Sequence, residues 1–320
     1  MIRTPRTLQL DRDGRVLVVR VANPPHNFIN TEMVAELDSL TRSLRRDRSI
    51  GAVVITGAGD DLFVGHIDVS EILAEVERIG VPVGPRAAWA MRGIASLDRL
   101  PVARSVLRRT PARGILEVQR IHDVFLRMNR MDKVFLAAIG GSALGGGCDL
   151  ALACDIRYMA TGSAAIGFPE TTLGLIPGAG GTQRLTRLLG TARTIELLLE
   201  GRPLSPPDAL ERGLVHHVVE PELLLAATME TARRLSRRSP ASIRAAKRVV
   251  YRCGSRSLEA GLAGERRWAL VAASSAEARA ALAEYLERCT RDGRPPWASA
   301  ETLSPWLSGT AVPPARQVEA

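Results

Sequence analysis

The sequence predicts an α/β fold whose strands are buried on both faces, and three observations carry that expectation. Short apolar, β-branched runs recur at Arg15–Val21, Ala52–Thr56 and Val134–Ile139, and near-continuous apolar character marks strands covered on two sides. Segments with helical spacing stand between them, the alternation that builds α/β layers. The third strand runs directly into a glycine-rich turn at residues 140–149.

Taken in order, Arg15–Val21 (RVLVVRV) opens the strand series. Thr31 reads as an N-cap, followed by Val34, Leu37, Leu40 and Leu44 at helical spacing to about Asp47. Ala52–Thr56 (AVVIT) is the second strand, closed by Gly57 and Gly59, and Asp68–Arg78 is helical. Gly80–Gly114 carries four prolines and many arginines, with one helical stretch at Arg86–Leu97. Such a long connection is expected to be a mobile excursion over the active site or a local insertion. Ile115–Met131 is an amphipathic helix turning Leu116, Ile121, Val124, Phe125 and Met128 inward.

After the glycines come an apolar helix (Leu150–Cys154), a strand near Asp155–Met159 and a loop at Thr161–Gly167. Helices follow at about Gly180–Leu189, Thr191–Leu199 and Pro206–Arg212, then a strand at Leu214–Val219. Beyond Pro221 the pattern is almost wholly helical, and the proline-containing stretch Arg291–Ala320 reads as a frayed tail. This divides the chain into an α/β core over 1–220 and a C-terminal helical region over 221–320.

The 320 residues, 46% hydrophobic and 24% charged, suit a globular protein with a sizeable core. No apolar run approaches the roughly 20 residues of a membrane span, and the N-terminus lacks a signal-peptide segment. The expected compartment is the cytoplasm. Cys148, Cys154, Cys253 and Cys289 form no Cys-x-x-Cys pair and no metal-ligand spacing, so they read as free thiols and no metal is expected. A net charge of +9 fits either a polyanionic partner or an arginine-rich surface. The basic runs Arg42–Arg48, Arg104–Arg113 and Arg233–Arg248 lack the interleaved aromatics of a single-strand binder, which favours solvated faces over nucleic acid.

Within Gly140–Asp149 (GGSALGGGCD), glycines permit positive φ and let a ligand meet bare backbone. The first N–H groups of the following helix lack internal partners and carry the positive end of its dipole. That suits an anion: a phosphate or an oxyanion formed during reaction. Neither a P-loop Lys-Ser/Thr nor a Gly-x-Gly-x-x-Gly spacing is present, which disfavours the phosphate. A purely structural tight turn remains the alternative.

The run Lys133–Asp155 (KVFLAAIGGSALGGGCDLALACD) resembles the signature of the crotonase (enoyl-CoA hydratase/isomerase) superfamily, and Phe168–Leu185 (FPETTLGLIPGAGGTQRL) resembles its second signature. Asn23–Asn27 (NPPHN) and Ala209–Val218 (ALERGLVHHV) stand in family order, so the resemblance covers about residues 12–290. It implies a crotonase-like spiral of ββα units with a C-terminal helical oligomerisation region, assembled as a homotrimer or a dimer of trimers. It also implies an acyl-CoA thioester as substrate, with coenzyme A entering as part of that substrate and no separate cofactor.

The resemblance further implies that two backbone N–H groups hold the thioester oxygen as it becomes an enolate. One is that of Gly146. The other lies in Phe63–Asp68 (FVGHID): anchoring on Asp68 gives Ile67, and anchoring on Gly65 gives His66. In the first register a histidine replaces the family's glycine, narrowing the pocket; His66 then reads as an acid/base or as a space-filling side chain. The remaining histidines read as surface or packing residues.

Hydration of a 2-enoyl thioester needs one group to activate water and one to deliver a proton to the α-carbon. The family's two glutamates correspond here to Asp149 and Glu170. Glu170 matches; Asp149 is shorter by one methylene, enough to cost about 10²-fold if the carboxylate is displaced, or to leave it only a helix N-terminal charge. The expected activity is enoyl-CoA hydratase. The alternatives are double-bond isomerisation on Glu170 alone and a non-catalytic CoA- or RNA-binding role. Asp155 reads as structural, Arg184 and Arg187 as surface or interface charges, and Lys247 and Arg248 as candidates for contact with CoA phosphates.

Overall fold

A computed structural model describes residues 6–59, 63–80, 84, 113–238, 240–248, 250–251, 259, 270, 273–274, 276–307 and 311. The expected helix at 86–97 and Cys253 lie outside these residues, as does the side chain of Arg248.

The chain opens with β1 (Leu8–Asp13) and β2 (Val16–Val21), an antiparallel hairpin. Then come α1 (Thr31–Leu44), β3 (Ala52–Gly57), α2 (Val69–Ile79), α3 (Arg113–Arg130) and β4 (Val134–Ile139). The α1 cap is Asn30 rather than Thr31: its side chain accepts from the Met33 N–H at 2.9 Å, and Thr31 is the first helical residue.

Short strand β5 (Ala143–Leu144) leads into α4 (Gly146–Ala153) and β6 (Ile156–Ala160). The expected loop at 161–167 hides a further short strand, β7 (Ile166–Gly167), followed by a 3₁₀ turn at Glu170–Leu173. Helices α5 (Gly181–Leu189), α6 (Thr191–Glu200) and α7 (Pro206–Glu211) precede β8 (His217–Val219). The C-terminal part holds α8 (Pro221–Ser236), α9 (Pro240–Arg248), α10 (Ala276–Asp292), a 3₁₀ turn at Pro296–Ala298, and α11 (Ala300–Leu307).

Among the described residues, six strands form one sheet in the order β1-β2-β3-β4-β6-β8. All pairs but the first are parallel. Both faces are covered, as the apolar strands predict. On β3 and β4, Val53, Ile55, Phe135, Ala137 and Ile139 face a core shared with α1, α3 and α4. The alternate residues Ala52, Val54, Val134, Leu136 and Ala138 face Leu224, Met229 and Ala232 of α8. A third core joins α2 to α10 and α11 through Val69, Val76, Leu282, Tyr285 and Trp306.

The stretch expected to fray therefore has structure: residues 296–298 and 300–307 are helical, and Trp306 is 1% exposed. No helix among the described residues is long and apolar enough to cross a membrane.

Candidate active site

The glycine-rich turn owes its shape to the small second sheet. Strands β5 and β7 pair in parallel, Ala143 with Ile166 and Leu144 with Gly167, and the Gly145 N–H donates to the Gly167 carbonyl at 2.9 Å. Gly145 sits at φ +51°, which a side chain disfavours. The chain then turns into α4, whose first residue is Gly146. Because Phe168–Pro169–Glu170 follows β7 directly, the same pairing carries Glu170 to the turn. A Cβ on Gly145 would lie 3.0 Å from Glu170 Oε1.

A second segment closes on the turn from the other side. Ile67 forms an isolated parallel bridge with Ile29: the Ile29 N–H donates to the His66 carbonyl at 2.9 Å, and the Asp68 N–H donates to the Ile29 carbonyl at 2.8 Å. Because successive N–H groups of extended chain point to opposite edges, the Ile67 N–H faces away from Ile29. A Cβ on Gly146 would stand 3.1 Å from Ile67 N. Of the two registers the sequence left open, it is the Ile67 nitrogen that comes beside Gly146. The approach is close because α4 begins on bare backbone: a Cβ on Gly147 would lie 1.9 Å from the Val64 carbonyl oxygen and 2.2 Å from that of Gly65.

The Asn23–Asn27 motif braces this segment. Asn27, 2% exposed and at φ +52°, donates from Nδ2 to the Phe63 carbonyl at 3.0 Å and accepts from the Asn23 N–H at 2.8 Å.

His66 lies within the site without offering a free imidazole nitrogen. Its Nδ1 stands 2.8 Å from the Ile67 carbonyl oxygen, which only accepts, so Nδ1 carries the proton. Its Nε2 then accepts from the Tyr285 hydroxyl. The ring stacks on Phe28 at 4.2 Å and meets Trp297 edge-on at 5.5 Å. Burial pulls its pKa down to about 4, so the imidazole is neutral near pH 7.

Asp149 and Glu170 differ in their surroundings. Glu170 lines a cavity of about 350 Å³ together with His66, Ile67, Gly145, Gly146 and Trp297. Aliphatic side chains of α2 and α3, among them Ile72, Val76, Val118 and Ile121, form much of the remaining wall. Asp149 is 0% exposed, in the first turn of α4. Its Oδ1 is 2.9 Å from where a Cβ on Gly181 would be, at the N-terminus of α5, where the helix dipole favours a negative charge.

Other predicted residues fall as follows. Cys148 is fully buried, and burial with the nearby carboxylates of Asp149 and Glu170 pushes its thiol well up, which disfavours a thiolate. Arg184 is no surface charge: 7% exposed, it donates to Asn129 Oδ1 at 2.8 Å and lies 6.0 Å from the Phe125 ring centre. Lys247, expected toward CoA phosphates, is 7% exposed and turned inward. It donates to Asp155 Oδ2 at 2.6 Å and to the carbonyls of Met128 and Lys133 at 2.9 and 2.8 Å. Asp155 also accepts from the Phe135 N–H and the Tyr251 hydroxyl, in keeping with its structural reading. Among the described residues no group of three or more His, Cys, Asp or Glu is placed to hold a metal ion.

Sequence reasoning missed Phe28, Tyr285 and Trp297. The two C-terminal residues lie 219 and 231 positions beyond His66, in a region whose helical pattern gives no sign of where it docks. The one available signal was the presence of Trp297 and Trp306, large apolar rings, in a supposed tail.

Comparisons with known proteins place the chain in a family. The family described as enoyl-CoA hydratase/isomerase matches residues 11–81 and 107–298. A short-chain-enoyl-CoA hydratase of Clostridium acetobutylicum is 30% identical over 285 residues, covering 89% of this chain and 96% of that one. The crystal structure of an enoyl-CoA hydratase from Bacillus anthracis is 27% identical, with a TM-score of 0.63 over 91% of this chain and 98% of that one. The human mitochondrial delta3-delta2-enoyl-CoA isomerase shares the fold at a TM-score of 0.71 and 21% identity, over 90% of this chain and 99% of that one. With the glycine turn, the Ile67 segment and Glu170 converging on one cavity, and with matches of this extent, the chain belongs to the enoyl-CoA hydratase/isomerase (crotonase) family.

Proposed function

We propose that the protein converts enoyl-CoA thioesters through an enolate. The thioester oxygen sits between the N–H groups of Ile67 and Gly146, and Glu170 moves the proton at the α-carbon. The observation that carries this reading is the approach of Gly146 to the Ile67 nitrogen on the cavity wall that also holds Glu170. One N–H is the orphan donor of a helix start; the other is fixed by the Ile29 bridge on either side of it. Donors held in place beforehand stabilise the charge that develops on the oxygen at little reorganisation cost.

The particular reaction proposed is hydration of a 2-enoyl-CoA: water adds its oxygen to the β-carbon and the α-carbon takes a proton. Asp149 would be the second carboxylate. The 30%-identical relative from Clostridium acetobutylicum, named a short-chain-enoyl-CoA hydratase, supports this. A second reading, migration of the double bond from the 3- to the 2-position on Glu170 alone, is favoured by the complete burial of Asp149.

Turnover of a 2-enoyl-CoA and of a 3-enoyl-CoA by Asp149→Asn and Glu170→Gln separates the two. Under hydration, both variants lose at least about 10²-fold on the 2-enoyl substrate. Under isomerisation, Asp149→Asn keeps activity on the 3-enoyl substrate and only Glu170→Gln loses it. Full activity of Glu170→Gln on both substrates rejects the site.

A further inference from the structure

We infer that His66 and Tyr285 are a positioning pair, through which the C-terminal helix α10 fixes the Ile67 donor and makes its own docking part of the oxyanion site. The inference rests on the reading of the Ile67 N–H as a donor, and it concerns two side chains to which that reading gives no role.

His66 stands where the crotonase signature carries glycine, so its interactions are this chain's own. The imidazole clasps the residue that follows it: Nδ1–H donates to the Ile67 carbonyl at 2.8 Å, while the His66 carbonyl accepts from Ile29 at 2.9 Å. The peptide group before Ile67 is thus held by Ile29, and the one after it is held both by Ile29, through the Asp68 N–H, and by the His66 ring. The ring needs its own anchor, and only Nε2 is left to provide it. Tyr285, 1% exposed on α10, supplies the hydroxyl, and Phe28 and Trp297 confine the ring plane.

Since the Ile67 carbonyl only accepts, it fixes the single proton of the neutral ring on Nδ1 and leaves Nε2 as the acceptor for the Tyr285 hydroxyl. Glycine at position 66 has no side chain to make either bond. An added bond of this kind fits a donor loop that must keep its aim while a substrate oxygen gains charge.

The test uses Tyr285→Phe, His66→Ala and the double variant in the full-length protein. Tyr285→Phe keeps the ring packed against Trp297 and Trp306, at centroid distances of 5.0 and 6.1 Å, and removes only the hydroxyl. The measurements are kcat and KM on an enoyl-CoA, and the red shift of the absorbance band of a bound aromatic enoyl thioester. That band reads how strongly the donors polarise the carbonyl. The expected result for Tyr285→Phe is a kcat lower by about tenfold with KM nearly unchanged, and a smaller band shift. His66→Ala loses at least as much, and the double variant loses no more than His66→Ala, because both act through one bond.

A Tyr285→Phe enzyme with unchanged kcat and band shift overturns the inference and leaves the Glu170 reading intact. So does one altered only in melting temperature. A wild-type protein that gives no band shift with the bound thioester overturns the donor reading and this inference together.

Discussion

Gly146→Ala puts a methyl group into the space assigned to the thioester oxygen. The new Cβ would stand 3.1 Å from Ile67 N, 2.7 Å from Ile67 Cγ1 and 3.2 Å from Ile29 Cδ1. The two side-chain contacts can be relieved by small rotations. The contact with the Ile67 nitrogen cannot, because Ile29 and His66 hold that segment by its neighbouring carbonyls. Gly146 does not need a positive φ, so the helix start itself is not strained. The stability cost is therefore that of modest overpacking, about 1–3 kcal/mol. The catalytic cost is that of an obstructed oxyanion donor, about 10²–10³-fold in kcat. Steady-state turnover of an enoyl-CoA, followed by the conjugated-thioester absorbance, measures the second, and thermal unfolding measures the first. A folded Gly146→Ala enzyme within about threefold of the wild-type kcat refutes the placement of the oxygen.

Three further outcomes follow from the same geometry. Gly147→Ala meets two backbone carbonyl oxygens at 1.9 and 2.2 Å, so denaturant unfolding should show a loss above about 4 kcal/mol or no soluble protein; a normal midpoint contradicts the packing of α4. Lys247→Met removes the charge partner of the Asp155 carboxylate, whose side chain is 14% exposed and which among the described residues keeps only the Phe135 N–H and the Tyr251 hydroxyl, and should cost about 3 kcal/mol without weakening CoA binding, whereas weaker CoA binding at normal stability restores the phosphate-contact reading. His66 is held near 4 by burial, below its unfolded value of about 6.5. Its contribution to stability is complete above about pH 6.5 and is lost as pH falls toward 4, because the unfolded chain takes up the proton first. The melting temperature should drop between pH 7 and pH 5, and the drop should be smaller in His66→Gln; equal drops contradict a neutral buried imidazole.

Much of the fold was legible because its central strands are apolar on both faces. Ala52–Gly57 and Val134–Ile139 are buried at every position, and no surface requirement dilutes their pattern. The edge strand β1 was illegible for the converse reason: in LQLDRD only Leu8 is buried and the rest is exposed, so burial left no trace in the sequence. Strand β7 is two residues long, too short for any period, yet it carries Glu170 to the glycine turn.

Within the candidate site, the motifs single out Gly146 and Glu170, which line the cavity, and Asp149, which is buried in α4 and does not line it. The choice between His66 and Ile67 does not follow from them, because it depends on which edge of a single bridge faces Gly146. Local pattern also misjudged Lys247 and Arg184: a cation on an otherwise polar helix reads as solvated until its partners, Asp155 and Asn129, arrive from distant segments.

Hydratase and isomerase chemistry share one step, the movement of a proton at the α-carbon, so exchange of that proton tests the central claim most directly. In heavy water, a wild-type chain incubated with an acyl-CoA or its hydrated product should incorporate deuterium at the α-carbon. Glu170→Gln should do so at least about 10²-fold more slowly while still binding the thioester. Exchange at the wild-type rate in Glu170→Gln would contradict the assignment of Glu170 as the group that carries the proton.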